Sequence, residues 1–169
     1  MSVADSTTEA GPGLFLEDFT TGDVFETGSR TITAEDITVF ADVTGDQNPL
    51  HTDPQFAATT PFGEVIAHGL LGLGVLTGLF EDLGIFRGTA LAFLGISDWS
   101  FRRPILAGDT VRARMTVLDV RRSRSDSGRG ILTRRYELLG ADGGVVQDGT
   151  TTVLLRARST GPQPPGPVA

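Results

Sequence analysis

Apolar side chains recur along this chain at two different periods. The change between them divides it into a strand, a helical middle and a run of further strands. Leu14, Phe15, Leu16 and Phe19 form the first apolar cluster, and after the turn Thr21-Gly22-Asp23 the residues 24–32 read as a strand. Thr33-Ala34-Glu35-Asp36 is a capping-box pattern with Asp in the usual Glu place. Ile37, Phe40, Ala41 and Thr44 follow at helical spacing until Gly45 stops the helix. Asp53 before Pro54 supplies a cap and a favoured first residue, which predicts a short helix over 54–59. His51 then falls in a rigid connection between two helices. Residues 65–83 are apolar on nearly every side, the pattern of a buried helix, and Gly84 ends it. Its glycines at 69, 72, 74 and 78 weaken the helix and permit either close packing or an open channel.

Beyond residue 88 the period shortens. Strands are predicted over 89–101, 110–120, 131–139 and 145–158, with turns at Ser125-Asp126-Ser127-Gly128 and Ala141-Asp142-Gly143-Gly144. Short turns between them predict a meander. One strand, then helices, then four antiparallel strands make an α+β protein, most simply a curved sheet wrapped around the apolar helix. Residues 1–13 are small and polar and 159–169 are rich in proline, so both are expected to be disordered tails on a single domain spanning 14–158.

Composition narrows the functional classes. The chain has 169 residues, enough for one domain with a real core. There is no cysteine, which removes disulfides and thiolate metal sites. The net charge of −7 argues against nucleic acid as a main partner. Charge is uneven: residues 1–100 hold 15 acidic and 2 basic side chains, and residues 101–169 hold 6 acidic and 12 basic ones. All the basic residues are Arg, a distribution that exposed strand faces explain and that also suits a phosphorylated small molecule. The apolar run at 65–83 is too short and glycine-rich to span a bilayer, and no signal pattern opens the chain, so a cytoplasmic protein is expected.

The chemistry-bearing stretch is Thr44-Gly45-Asp46-Gln47-Asn48-Pro49-Leu50-His51. It places a carboxylate, an amide and an imidazole in one Pro-containing bend, and Asp46 and His51 are the best acid/base candidates in the chain. Taken singly, Asp46 and Asn48 would pass as turn residues. Gly69 lies near the start of the apolar helix, where free amides and the dipole favour an oxyanion. His68 is expected to orient the loop or the helix start by hydrogen bonding. With two His, no Cys and no His-Glu-x-x-His motif, no metal is expected.

That stretch, with Phe56-Ala57, Ile66-Ala67-His68-Gly69, Phe101-Arg102-Arg103-Pro104-Ile105 and Gly108-Asp109, resembles the MaoC-like, (R)-specific enoyl-CoA hydratase family over about residues 20–157. The resemblance implies a hot-dog fold and an acyl-thioester substrate carried by coenzyme A or acyl carrier protein, with no other cofactor. It implies that Asp46 and His51 are the catalytic pair holding a water, and that the Gly69 amide faces the thioester oxygen. Asn48 then supports the pair, Thr77 lies beside the pocket, and Arg102 is the basic residue of the following segment. Arg102 and Arg103 are open candidates for coenzyme A phosphates. Reversible hydration of a trans-2-enoyl thioester is the expected activity. The alternatives are a non-catalytic hot-dog binding or assembly subunit and a hot-dog thioesterase. Open sheet edges make a homodimer the expected assembly.

Overall fold

The computed structural model describes residues 13–158. The expected tails at 1–12 and 159–169 lie outside the described residues. Gly13, assigned above to the first of them, is tied down: its N–H donates to the Arg87 carbonyl at 2.7 Å.

A 3-10 turn (Leu16–Asp18) leads into β1 (Val24–Thr31), α1 (Ala34–Thr44), the one-turn helices α2 (Pro49–Thr52) and α3 (Pro54–Ala57), and α4 (Gly69–Asp82). Four strands complete the chain: β2 (Ala90–Phe101), β3 (Thr110–Arg122), β4 (Arg129–Gly140) and β5 (Val145–Arg156). The capping box forms as expected. Asp36 N–H donates to Thr33 Oγ1 at 3.0 Å, and Thr33 N–H donates to the Asp36 carboxylate at 2.9 Å. Gly45 closes α1 with φ +75°, a conformation that glycine adopts without a Cβ penalty. Asn48 and Asp53 cap α2 and α3 through their side-chain oxygens, and each helix has Pro at its first position. His51 therefore sits inside α2 rather than in a connection between helices, because Asn48-Pro49 starts a turn of helix of its own.

The five strands form one antiparallel sheet in the order β1-β3-β4-β5-β2. The meander holds for β3, β4 and β5 only. β2 pairs with β5 at the far edge, and residues 102–109 carry the chain back across to β3. That segment cannot make a hairpin, since it contains Pro104 and is tied elsewhere: the Arg102 and Arg103 amides donate to the Val146 carbonyl, and the Ala67 amide donates to the Ile105 carbonyl. The same tie explains the late start of α4. Ile66 bridges Leu106, so residues 65–67 are extended and the helix begins at Gly69.

The core lies between α4 and the inner sheet face. Leu71, Val75, Leu76, Leu79 and Phe80 of α4 meet Ala113, Met115, Leu132, Tyr136, Leu138 and Val153. Side chains alternate along β3 and β4 as period two requires. α4 is not buried all round, however. Leu70, Gly74, Thr77 and Gly78 form an exposed stripe on its outer face. Among the described residues no helix is long and apolar enough to cross a membrane.

The α4 glycines divide into two kinds. A Cβ on Gly72 would lie 2.3 Å from Gln147 Nε2 and 2.9 Å from Ile105 Cδ1, while one on Gly74 would meet nothing within 4 Å. Gln147 is buried and donates to the Gly69 carbonyl at 3.0 Å, so it has little room to yield. Gly72→Ala is therefore expected to lower unfolding free energy by about 1–3 kcal/mol through overpacking. Gly74→Ala is expected to be neutral or to raise it by up to about 1 kcal/mol. Denaturant unfolding of the two variants reads the contrast, and equal effects would contradict close packing at Gly72.

Candidate active site

Three chain segments converge near the first turn of α4. The turn after α1 brings Asp46, α2 brings His51, and the extended residues 65–68 bring the Ile66 carbonyl and His68. The rings of His51 and His68 stack with centroids 3.8 Å apart, and Phe40 packs against His68 at 5.0 Å. Asp46, His51 and His68 present ligand atoms within 4.8 Å of one another. Asp46 and His51, 5 positions apart in the sequence, are thus brought together, and His68 joins them.

Hydrogen bonds fix the imidazole tautomers. His51 Nδ1 lies 2.7 Å from the Ile66 carbonyl oxygen. A carbonyl only accepts, so Nδ1 carries the proton and Nε2 is left with a lone pair for another group. His68 Nε2 lies 2.9 Å from the Asp46 carbonyl oxygen and by the same logic donates to it. His68 is buried, and its Nδ1 has no partner. The expected orienting role of His68 has this geometric counterpart: its bond holds the backbone of the Asp46 turn. Asn48 also acts on the backbone. Its Oδ1 accepts from Leu50 N–H at 3.0 Å, and its carbonyl accepts from His51 N–H at 2.8 Å. The Asp46 carboxylate remains half exposed, 4.0 Å from His68 Nε2.

His51 opens onto a cleft of about 460 Å³ whose walls include Phe62, Gly69, Leu70, Phe101, Arg102 and Ile105. Its lining is mostly apolar with a few polar groups, as small-molecule sites are. Gly69 is the first residue of α4, so its N–H has no carbonyl four residues back to bond. A Cβ there would lie 2.7 Å from the Phe101 ring, which lies across the helix start. Asp46 does not line this cleft directly. Thr77 lies two turns along α4, where its hydroxyl donates to the Gly74 carbonyl at 2.7 Å and its side chain lines a separate cavity. The three side chains Asp46, His51 and His68 are also the set that a metal ion would use. Two of the four imidazole nitrogens are already committed to backbone carbonyls.

Arg102 borders the cleft with its guanidinium bound to Asp148, Nη2 donating to Oδ2 at 3.1 Å and Nε donating to Oδ1. Arg135 donates to the same carboxylate, which is buried. Arg103 is held by Asp142 and by the Gly144 carbonyl. Asp148 and Gln147 were not anticipated from the sequence. Two adjacent polar residues inside an otherwise Val/Thr-rich strand were the available signal.

The matched family model is the MaoC like domain, over residues 18–135. The chain belongs to the MaoC-like family. It is 35% identical over 130 residues to 3-hydroxyacyl-thioester dehydratase Z of Mycobacterium tuberculosis, covering 76% of this chain and 77% of that protein. Among solved structures, the monoamine oxidase regulatory protein of Archaeoglobus fulgidus superposes with a TM-score of 0.80 at 33% identity, covering 88% of this chain and 97% of that one. The (R)-hydratase of Aeromonas caviae superposes with a TM-score of 0.67 at 31% identity, covering 81% and 97%. The sheet wrapped on α4 is accordingly the hot-dog fold expected of a MaoC-like protein.

In this MaoC-like chain Asp148 ties the cleft wall to β4 and β5. The Arg102 hydrogen bond comes first among the causes that hold its carboxyl below the usual carboxylate range, with the Arg135 and Arg102 charges also lowering it and burial opposing them. A depressed folded-state pKa contributes stability that is present above the unfolded value, about 3.9, and is lost as pH falls through the folded value. Both arginines are partly solvated, which weakens the pairing. Asp148→Asn is expected to cost about 1–3 kcal/mol at pH 7. The gap to wild type should close as pH falls below about 4. Urea unfolding at several pH values checks both, and a gap that persists at acid pH would contradict the ion-pair account.

Proposed function

We propose that this chain is a hydro-lyase that reversibly adds water to a trans-2-enoyl thioester to give an (R)-3-hydroxyacyl thioester. The observation that carries the reading is the bond from His51 Nδ1 to the Ile66 carbonyl. It leaves Nε2 as a proton acceptor beside the Asp46 carboxylate, on the cleft that Gly69, the first residue of α4, helps to line. The names of the relatives, a 3-hydroxyacyl-thioester dehydratase and an (R)-hydratase, support the same chemistry.

In the hydration direction, Asp46 and His51 hold one water. His51 Nε2 or the Asp46 carboxylate takes a proton as the water oxygen bonds to C3. The π electrons of the C2–C3 bond move toward the thioester carbonyl, whose oxygen becomes negative. The Gly69 N–H, pointing from the positive end of α4, stabilises that oxygen by about 3 kcal/mol if well aimed. The proton then passes to C2, on the face from which water came, and the carbonyl re-forms. His68 and Asn48 keep the pair in register. Arg102 and Arg103 flank the cleft where the carrier's phosphates would leave it. The carrier is coenzyme A or acyl carrier protein, and no metal takes part.

Asp46→Asn and His51→Ala are each expected to lower crotonyl-CoA hydration, read from loss of enoyl absorbance, by at least about a hundredfold with unchanged far-ultraviolet circular dichroism. Full activity in either variant would remove the proposed pair. Wild-type activity should survive exhaustive dialysis against EDTA. Release of free thiol without hydration would favour a thioesterase instead.

We also propose a homodimer. Support comes from β2, an edge strand on which Leu91, Phe93, Leu94, Ile96 and Phe101 are each 42–55% exposed. Light scattering at micromolar concentration should give twice the 17.9 kDa chain mass, and a monomer would contradict the assembly.

A further inference from the structure

The sheet buries an arginine that the reaction above does not use. Arg134 stands on the inner face of the central strand β4, between Leu132 and Tyr136, and is 4% exposed. Buried arginine is rare unless it is paired. Here Nε donates to Thr151 Oγ1 at 3.0 Å, while Nη1 is buried with no partner. The guanidinium carbon lies 4.5 Å from the centre of the Phe86 ring and 4.8 Å from that of Tyr136, so two aromatic faces hold it. No carboxylate pairs with it among the described residues, and burial pushes its pKa down with only the Tyr136 interaction opposing.

The surroundings are a cavity, not solid core. About 340 Å³ of space lies between the second half of α4 and the sheet, bounded by Thr77, Phe80, Phe93, Tyr136 and Arg134. Glu81 is the other charged residue of the lining, and it is engaged by Arg87 at 3.2 Å. The exposed α4 stripe of Leu70, Gly74, Thr77 and Gly78 runs from the cleft at Gly69 to this cavity. Gly74 and Gly78 leave it open. Thr77 lies eight helical positions beyond Gly69, about 12 Å of path.

Resting on the reaction proposed above, we infer that this second cavity receives the far end of the acyl chain, and that Arg134 selects a chain ending in a carboxylate. The aromatic and aliphatic walls suit the methylene chain. The guanidinium has spare donors and no counter-ion, and a carboxylate supplies both the acceptors and the charge. A terminal methyl would instead leave the buried guanidinium unpaired, which is the basis of strong discrimination by polar sites.

Isothermal titration of the full chain with saturated, unreactive acyl-CoA thioesters tests this without requiring turnover. The probes are the mono-CoA thioester of a medium-chain dicarboxylic acid and its matched monocarboxylic counterpart, with succinyl-CoA and butyryl-CoA as a second pair whose chains are too short to cross the stripe. Wild type is expected to bind the long carboxyl-ended probe at least about tenfold more tightly than its methyl-ended counterpart. Succinyl-CoA should gain nothing over butyryl-CoA. Arg134→Met should bring the long-chain ratio close to one while keeping affinity for the methyl-ended probe. A wild-type ratio near one, or a ratio retained in Arg134→Met, overturns the inference. If that variant does not fold, the length dependence in wild type decides the matter alone, because an equal gain for succinyl-CoA places the selecting cation elsewhere. Crotonyl-CoA hydration, measured in parallel, separates the two readings: its absence with the ratio intact removes the reaction and keeps the subsite, and its presence with a ratio near one removes the subsite alone.

Discussion

The close approach of α4 to the sheet at Gly72 is the constraint on which the site depends. With no side chain there, Gln147 reaches the helix and its amide takes the Gly69 carbonyl. One buried hydrogen bond thus fixes the height and rotation of the first helical turn relative to β5. Gly69, which borders the cleft, is thus held from the sheet side by that bond. Trp99 reaches the other end of the same Gln147 amide, so the edge strand, the helix start and β5 are linked through one side chain.

Around that fixed turn the two imidazoles are held by backbone carbonyls. The Ile66 carbonyl sets the proton on His51, and the Asp46 carbonyl is gripped by His68. The first acceptor exists because residues 65–67 are extended and pinned to the 102–109 segment, and the second because Asp46 lies just past the end of α1 at Gly45. Backbone acceptors do not change protonation with pH, so the tautomer of His51 is set by the fold and does not depend on the state of a neighbouring acid.

Much of this was legible in the residues. Period, caps and glycine stops located α1, α4 and all five strands, and the bend at Asp46–His51 pointed to titratable groups that the fold brings together. Two things were not legible. Strand order escaped because β2 and β3 are consecutive in the chain, and nothing in 102–109 beyond Pro104 shows that it crosses the sheet instead of turning back. The helix start escaped because Val65, Ile66 and Ala67 are apolar in either conformation, and only their partners at Ile105 and Leu106 decide between them. The glycines of α4 left two readings open, and the chain uses both: Gly72 for contact, Gly74 and Gly78 for space. Roles that rest on distant partners, such as Asp148 holding Arg102, need the third dimension.

The outer strand β2 pairs with β5 through three breaks in register, and Asp98 within it takes φ +54°, uncommon for a residue with a side chain. Each break tilts the run of free amides and carbonyls on the outward side, so no long, flat template is presented to another chain. The apolar side chains on the same strand still favour being covered. An edge of this kind rewards a partner whose own irregularities match and penalises an unlimited succession of copies. Any self-association through this edge is biased to stop at a closed, countable assembly instead of growing into a fibre.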